Sequence, residues 1–137
     1  MRVGIDFTPA IRQRAGIGRL TRHLVRALVD LAPAHSYRLF VAGPLPAGTP
    51  EAAGWPAGVS LHPTRIPERW LTIAWHRARL PLPIEAFVGR CDIFHATDFV
   101  LPPAAARTLV TVHDLSFLRY PEGAPAGLRA YLSAVVP

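Results

Sequence analysis

Hydrophobic and polar positions alternate between two rhythms along this chain. Continuous apolar or β-branched runs stand at Val3–Phe7, Tyr37–Ala42, Val59–His62, Asp92–His95 and Thr108–His113. The first and last of these, VGIDF and TLVTVH, are unbroken rather than alternating, as in strands covered on both faces of a parallel sheet. Between them lie helical patterns. Gly18–Leu31 sets Leu20, Leu24, Ala27, Leu28 and Leu31 on one side and Arg19, Arg22 and Arg26 on another, with Asp30 one turn after Arg26 and Pro33 as a stop. Glu68–Leu80 predicts a second helix closed by Pro81, and Pro83–Gly89 a short third one. A last helical pattern, Pro125–Val136, carries Leu128, Tyr131, Leu132 and Val135 and stops at Pro137. Phe7–Gly16 reads as a loop, and Gly43–Gly58, rich in Pro, Gly and Ala, as a mobile surface loop. Strand and helix alternating in this order predict an α/β fold, a Rossmann-like parallel sheet with helices on both faces.

Ligands of such sheets gather at the carboxyl ends of the strands. Those ends bear Asp6–Thr8, His95–Asp98 and His113–Asp114. Gly16 and Gly18 open the first long helix, where unpaired N–H groups and the positive end of the helix dipole suit an anion. The plain alternative is that the two glycines only shape a turn. A dinucleotide fingerprint is excluded, because Thr21 replaces the third glycine and strand two ends Ala42-Gly43-Pro44 without a carboxylate for a ribose.

Composition narrows the chemistry. The 137 residues carry a net charge of +6, and all fifteen basic residues are arginine. Without lysine there is no Walker-type phosphate loop and no Schiff-base catalysis. The single Cys91 cannot form an internal disulfide and reads as a buried thiol at a strand edge. Half the residues are hydrophobic, enough for a globular core, yet no apolar run reaches the roughly 18 residues of a membrane span. A strand begins almost at once, so no secretory leader is expected. The expected location is the cytoplasm, with contact at the inner face of the membrane as an extension.

His113 with Asp114 ends the last strand. An imidazole there can hold a sugar hydroxyl or a charged intermediate, and Asp114 can orient it. The plain reading is a histidine satisfied by backbone carbonyls. His95, Thr97 and Asp98 end the preceding strand and are expected beside His113, forming a polar pocket for a hydroxylated substrate. Two His and two Asp lack close ligand spacing, so no metal is expected. Arg65–Arg79 mixes Trp70, Leu71, Ile73 and Trp75 with Arg65, Arg69, Arg77 and Arg79. The favoured reading packs both tryptophans on the sheet behind a solvated basic face. Docking on anionic lipid is the second reading, and nucleic acid is not expected.

Taken in order, GIDFTP, AGIGR at the helix opening, DIFHATDFVLPP and TLVTVHDLSFLRYPE resemble the N-terminal half of GT-B glycosyltransferases of family 4 (group 1), across essentially the whole chain. The resemblance implies one half of a GT-B fold, residues 1–137 forming the N-terminal, acceptor-side Rossmann-like domain. It implies retaining transfer from a nucleotide sugar to a glycan or lipid-linked acceptor, with the nucleotide sugar as substrate and no separate cofactor. On that resemblance Gly16, Ile17, Gly18 and Arg19 hold the donor phosphate, and His113 lies by the transferred sugar as the catalytic residue. Asp6, Arg14, His95, Thr97, Asp98 and Asp114 line the acceptor and sugar side. The family's paired-glutamate donor motif has no counterpart, since Glu85 and Glu122 stand isolated. The donor-binding C-terminal half is therefore absent, a fragment is expected, and the fragment alone is expected to be inactive. The rival from another class is a non-catalytic basic α/β module that binds a phosphorylated ligand at a membrane surface.

Overall fold

A computed structural model describes residues 1–114 and Arg119; the expected helix over 125–136 lies outside them. Five strands, β1 (Arg2–Asp6), β2 (Ser36–Val41), β3 (Val59–Pro63), β4 (Ile93–Ala96) and β5 (Arg107–Val110), form one sheet in the order β3-β2-β1-β4-β5. Every pairing is parallel. Parallel neighbours need a crossover between them. Here the crossovers are α2 (Ile17–Leu31), preceded by a short α1 (Thr8–Arg12), and on the other side α3 (Glu68–Thr72), a π-helical turn (Ile73–Arg77) and α4 (Glu85–Val88).

The period of two along β2 divides the core. Tyr37, Leu39 and Val41 join Ile5, Phe7, Val25 and Val29 beneath α1 and α2. Phe40 and Ala42 join Leu71, Trp75, Ile84, Val88 and Phe94 beneath α3 and α4. Helices thus cover both faces, and the α/β Rossmann-like architecture is established. Cys91 is buried just ahead of β4, and burial raises its thiol above the ordinary range, as suits an inert core group.

Several boundaries differ from the pattern. Thr8–Pro9 begins α1 where a loop was expected, because the Asp6 carboxylate accepts from Thr8 N–H at 2.9 Å and Pro9 fits a first helical turn. The buried stripe of α2 is Gly18, Thr21, Val25 and Val29, whereas Leu20 and Leu31 are exposed. The close seat of Gly18 on α1 leaves Leu20 and Leu31 outside, while Leu28 packs at the margin of the core. The predicted helix over 68–80 is α3 followed by the π-helical turn, and Leu80 is exposed. Pro50–Ala52 forms a 3₁₀ turn inside the long loop. β5 is an edge strand whose Arg107, Thr108 and Leu109 are exposed, not covered on both faces, and it ends at Val110 rather than His113. The ion pairs of the described residues join Arg2 to Asp92 and Arg22 to Glu51, so Asp30 does not pair with Arg26. Among the described residues no helix is long and apolar enough to cross a membrane.

Candidate functional site

Four threonines sew the carboxyl ends of the strands together. Ala42 N–H donates to Thr8 Oγ1 at 3.0 Å and Gly43 N–H to Thr64 Oγ1 at 3.0 Å. Thr97 Oγ1 donates to the Asp6 carbonyl at 2.7 Å, and Thr111 Oγ1 lies 2.8 Å from His95 Nε2. A strand end otherwise exposes unpaired amides and carbonyls, so these bonds fix the platform on which the polar groups stand.

Onto that platform the chain brings three carboxyls. Asp6 is desolvated, and burial pushes its pKa up to about 6; the bond from Thr8 opposes the shift, and the charges of Glu68 and Asp98 add to it. Asp98 is raised by burial, against the pull of His113 and of Gln13, whose Nε2 donates to Asp98 Oδ2 at 3.5 Å. Glu68, at the start of α3, is raised by burial and by Asp98, against the pull of Arg12. Arg12 does not close on any of these acids. Its guanidinium donates to the carbonyls of Ala42 at 3.0 Å and Pro44 at 2.8 Å.

His113 follows β5 by three residues. Its Nε2 donates to the Thr97 carbonyl at 2.9 Å, and its ring meets Phe99 edge-on at 5.7 Å. A carbonyl only accepts, so Nε2 carries a proton in this contact and Nδ1 is the ring's second nitrogen. The backbone-satisfied reading of this histidine therefore accounts for one nitrogen and leaves the other for chemistry. Phe99 holds a positive φ of 37°, a strained conformation for an aromatic residue, and such strain clusters at functional sites. His95 belongs to β4 and spends its Nε2 on Thr111, and burial lowers its pKa. It thus braces the strand end, while Thr97 and Asp98 are the residues that reach His113. Asp114 is exposed.

The helix opening has two unlike glycines. Gly16 caps α2 at φ 56°, ψ −123°, a conformation that disfavours any L side chain, and a Cβ there would meet nothing within 4 Å. Gly18 is the reverse: a Cβ would lie 2.0 Å from the Gln13 carbonyl oxygen and 2.6 Å from that of Pro9. Its missing side chain serves the packing of α2 on α1. No side chain caps the opening of α2, so the first-turn amides, those of Ile17, Gly18 and Arg19, have no side-chain acceptor. Arg14 and Arg19 are exposed beside them. Arg22 braces the loop, donating to the carbonyls of Ala10 (2.5 Å), Gln13 (2.9 Å) and Arg14 (2.7 Å). Gln13, three residues ahead of Gly16, is the link to Asp98.

The sequence places Thr8 at a strand end without revealing its bond to Ala42, and Gln13, Arg22, Glu68 and Phe99 were missed. Thr8-Pro9 directly after Asp6 was the available signal for a helix start; Gln13, Arg22, Glu68 and Phe99 had none, because their partners are distant in sequence. Two hollows of about 230 and 260 Å³ lie at the other end of α2, around Val29, Asp30 and Pro56. They contain none of the expected residues, and the desolvated carboxyls lie elsewhere, so the strand ends are the better candidate. Among the described residues no three His, Cys, Asp or Glu are arranged to hold a metal. Compared with known proteins, the chain matches no family model, no curated protein and no solved structure.

Proposed function

We propose that this chain is the acceptor-side domain of a retaining glycosyltransferase that uses a nucleotide-sugar donor and a glycan or lipid-linked acceptor. The observation that carries the reading is the Gln13–Asp98 contact, which ties the loop opening α2 to the acid facing His113. It supports one polar end where a diphosphate and a sugar would meet. The order of AGIGR and TVHD, similar to family 4 enzymes, gives the reading its reaction class.

In that reaction the bond from the anomeric carbon to the diphosphate oxygen breaks, and a bond to the acceptor oxygen forms on the same face. The acceptor's proton passes to the leaving phosphate. The first-turn amides Ile17, Gly18 and Arg19 stabilise the negative charge on that phosphate. His113, through Nδ1, accepts from a sugar hydroxyl. Asp6 and Asp98 accept from hydroxyls of the acceptor in this reading.

Titration of the isotope-labelled chain with inorganic pyrophosphate and with nucleoside diphosphates tests the phosphate role. Amide shifts confined to Ile17–Arg19 and the His113 ring are expected. Saturating ligand that moves neither group sinks the proposal. With a donor-binding half supplied, His113→Ala should cut transfer by about a hundredfold or more without changing the melting temperature. Pyrophosphate binding with no transfer in any such pairing would favour the non-catalytic module instead.

A further inference from the structure

The two tryptophans of the Arg65–Leu80 segment have opposite fates. Trp75 is buried at 8% exposure, and its Nε1 donates to the Leu82 carbonyl at 2.8 Å. Trp70 is 53% exposed. This overturns the expectation that both pack on the sheet. Trp70 is not alone: Ile73 follows it by three residues, about one helical turn, Ile66 stands in the bend just ahead of α3, and both are exposed, as is Leu80. Scattered apolar residues on a surface need no explanation, but four exposed within one 15-residue segment point to a contact surface.

The charge around these residues identifies the contact. Arg65, Arg69, Arg77 and Arg79 are all exposed, and the Arg69 guanidinium lies over the Trp70 ring at 5.4 Å. The segment's one acid, Glu68, lies at the start of α3 and is within reach of the charges of Asp98 and Arg12. We infer that this segment docks the protein on an anionic lipid surface, with Ile66, Trp70 and Ile73 entering the headgroup boundary and the arginines meeting lipid phosphates. Tryptophan prefers that boundary because one edge of its ring is apolar and the other polar, and arginine reaches phosphate while its stem stays among apolar groups. A nucleic acid would satisfy the arginines but leave Ile66, Ile73 and Leu80 without partners. A second copy would bring two surfaces of the same sign together. The lipid surface satisfies both halves of the pattern, and it does so whether or not the chain belongs to a transferase.

Sedimentation of the 137-residue chain with vesicles tests this. Vesicles with about a third phosphatidylglycerol should carry the protein down in low salt, and purely zwitterionic vesicles should not. Trp70→Ala with Ile73→Ser should weaken that binding about tenfold or more, and Arg69→Gln with Arg77→Gln by a similar factor that shrinks as salt rises. Circular dichroism matched to the parent shows that each variant is folded. A second readout needs no substitution: lipids brominated near the headgroup should quench indole fluorescence in the parent. Binding that ignores both double variants, or the absence of binding to anionic vesicles, overturns the inference. Retention of the chain on RNA while vesicles are ignored, or self-association abolished by Trp70→Ala without vesicle binding, overturns it equally.

Discussion

The two ends of β1 treat a carboxylate in opposite ways. At the amino end, Asp92 receives Arg2 N–H at 2.7 Å and the Arg2 guanidinium at 2.7 Å, and this pairing holds its pKa down at about 2. At the carboxyl end, burial pushes Asp6 up to about 6, and Glu68 and Asp98 are raised beside it. The chain has fifteen arginines, so cations were not scarce. The nearest, Arg12, is spent on the carbonyls of Ala42 and Pro44. One end is therefore locked by charge. The other is locked by neutral contacts, the threonine bonds and the seat of Gly18, while its acids stay unneutralised. Carboxyls partly withdrawn from water without a cation cost stability, and they are what a hydroxyl-binding or proton-moving site requires.

The largest effect is expected at the neutral lock, which Gly18→Ala attacks directly. The new methyl would sit 2.0 Å from the Gln13 oxygen, a backbone atom that no side-chain rotation can move aside. Overpacking of this kind costs about 3 kcal/mol or more. Denaturant melts should show that loss unchanged between pH 5 and 8 and between low and high salt. Gly16→Ala offers the contrast, with open space but a forbidden backbone, and should cost about 1–2 kcal/mol. A pH-dependent loss at Gly18 would mean that charge, not packing, holds α2 to α1.

The second test removes one of the costly acids. The folded pKa of Asp6 is above its unfolded value, so the folded state binds the extra proton between about pH 4 and 6. Stability is then highest below pH 4 and falls as pH rises through 6. Two units correspond to about 2–3 kcal/mol at neutral pH. Asp6→Asn keeps the acceptor for Thr8 N–H and should raise stability by about 2 kcal/mol at pH 7, with no gain at pH 3.5. A variant destabilised at pH 7 would show that the carboxylate stabilises β1, and the contrast between the two ends would collapse.

How much of this could be read from the residues depends on the range of the interactions. The strands were legible because an unbroken apolar run such as VGIDF has few other places to go. The topological end carrying Asp6, Thr97, Asp98 and His113 followed from the parallel order. The face of α2 was not legible, because Leu20 and Leu31 outweigh Gly18 in any hydrophobic pattern, whereas the fold is decided by how closely a glycine lets two backbones approach. Trp70 and Trp75 look alike in sequence; after Trp70 the helix widens into the π-helical turn that carries Trp75, and only Trp75 reaches the core. The fate of Asp6 was equally hidden, since its burial is set by the fold and the charges that add to it come from Glu68 and Asp98, far along the chain.

The smallest effect is expected at the amino end. Asp92 and Arg2 are both well exposed, so water and salt weaken their attraction. The sign is nevertheless opposite to that at Asp6. The folded pKa of Asp92 lies below its unfolded value, so its stabilisation is fully present above about pH 4 and is lost as pH falls toward 2. Asp92→Asn should therefore lower the melting temperature slightly at pH 7 and leave it unchanged at pH 2, with the difference at pH 7 shrinking in high salt. In the double variant with Asp6→Asn the two effects should add, because Asp92, ahead of β4, meets the amino end of β1 while Asp6 ends that strand, and they share no partner. Strong coupling between them would show that the sheet transmits charge along β1 and that its two ends are not independent.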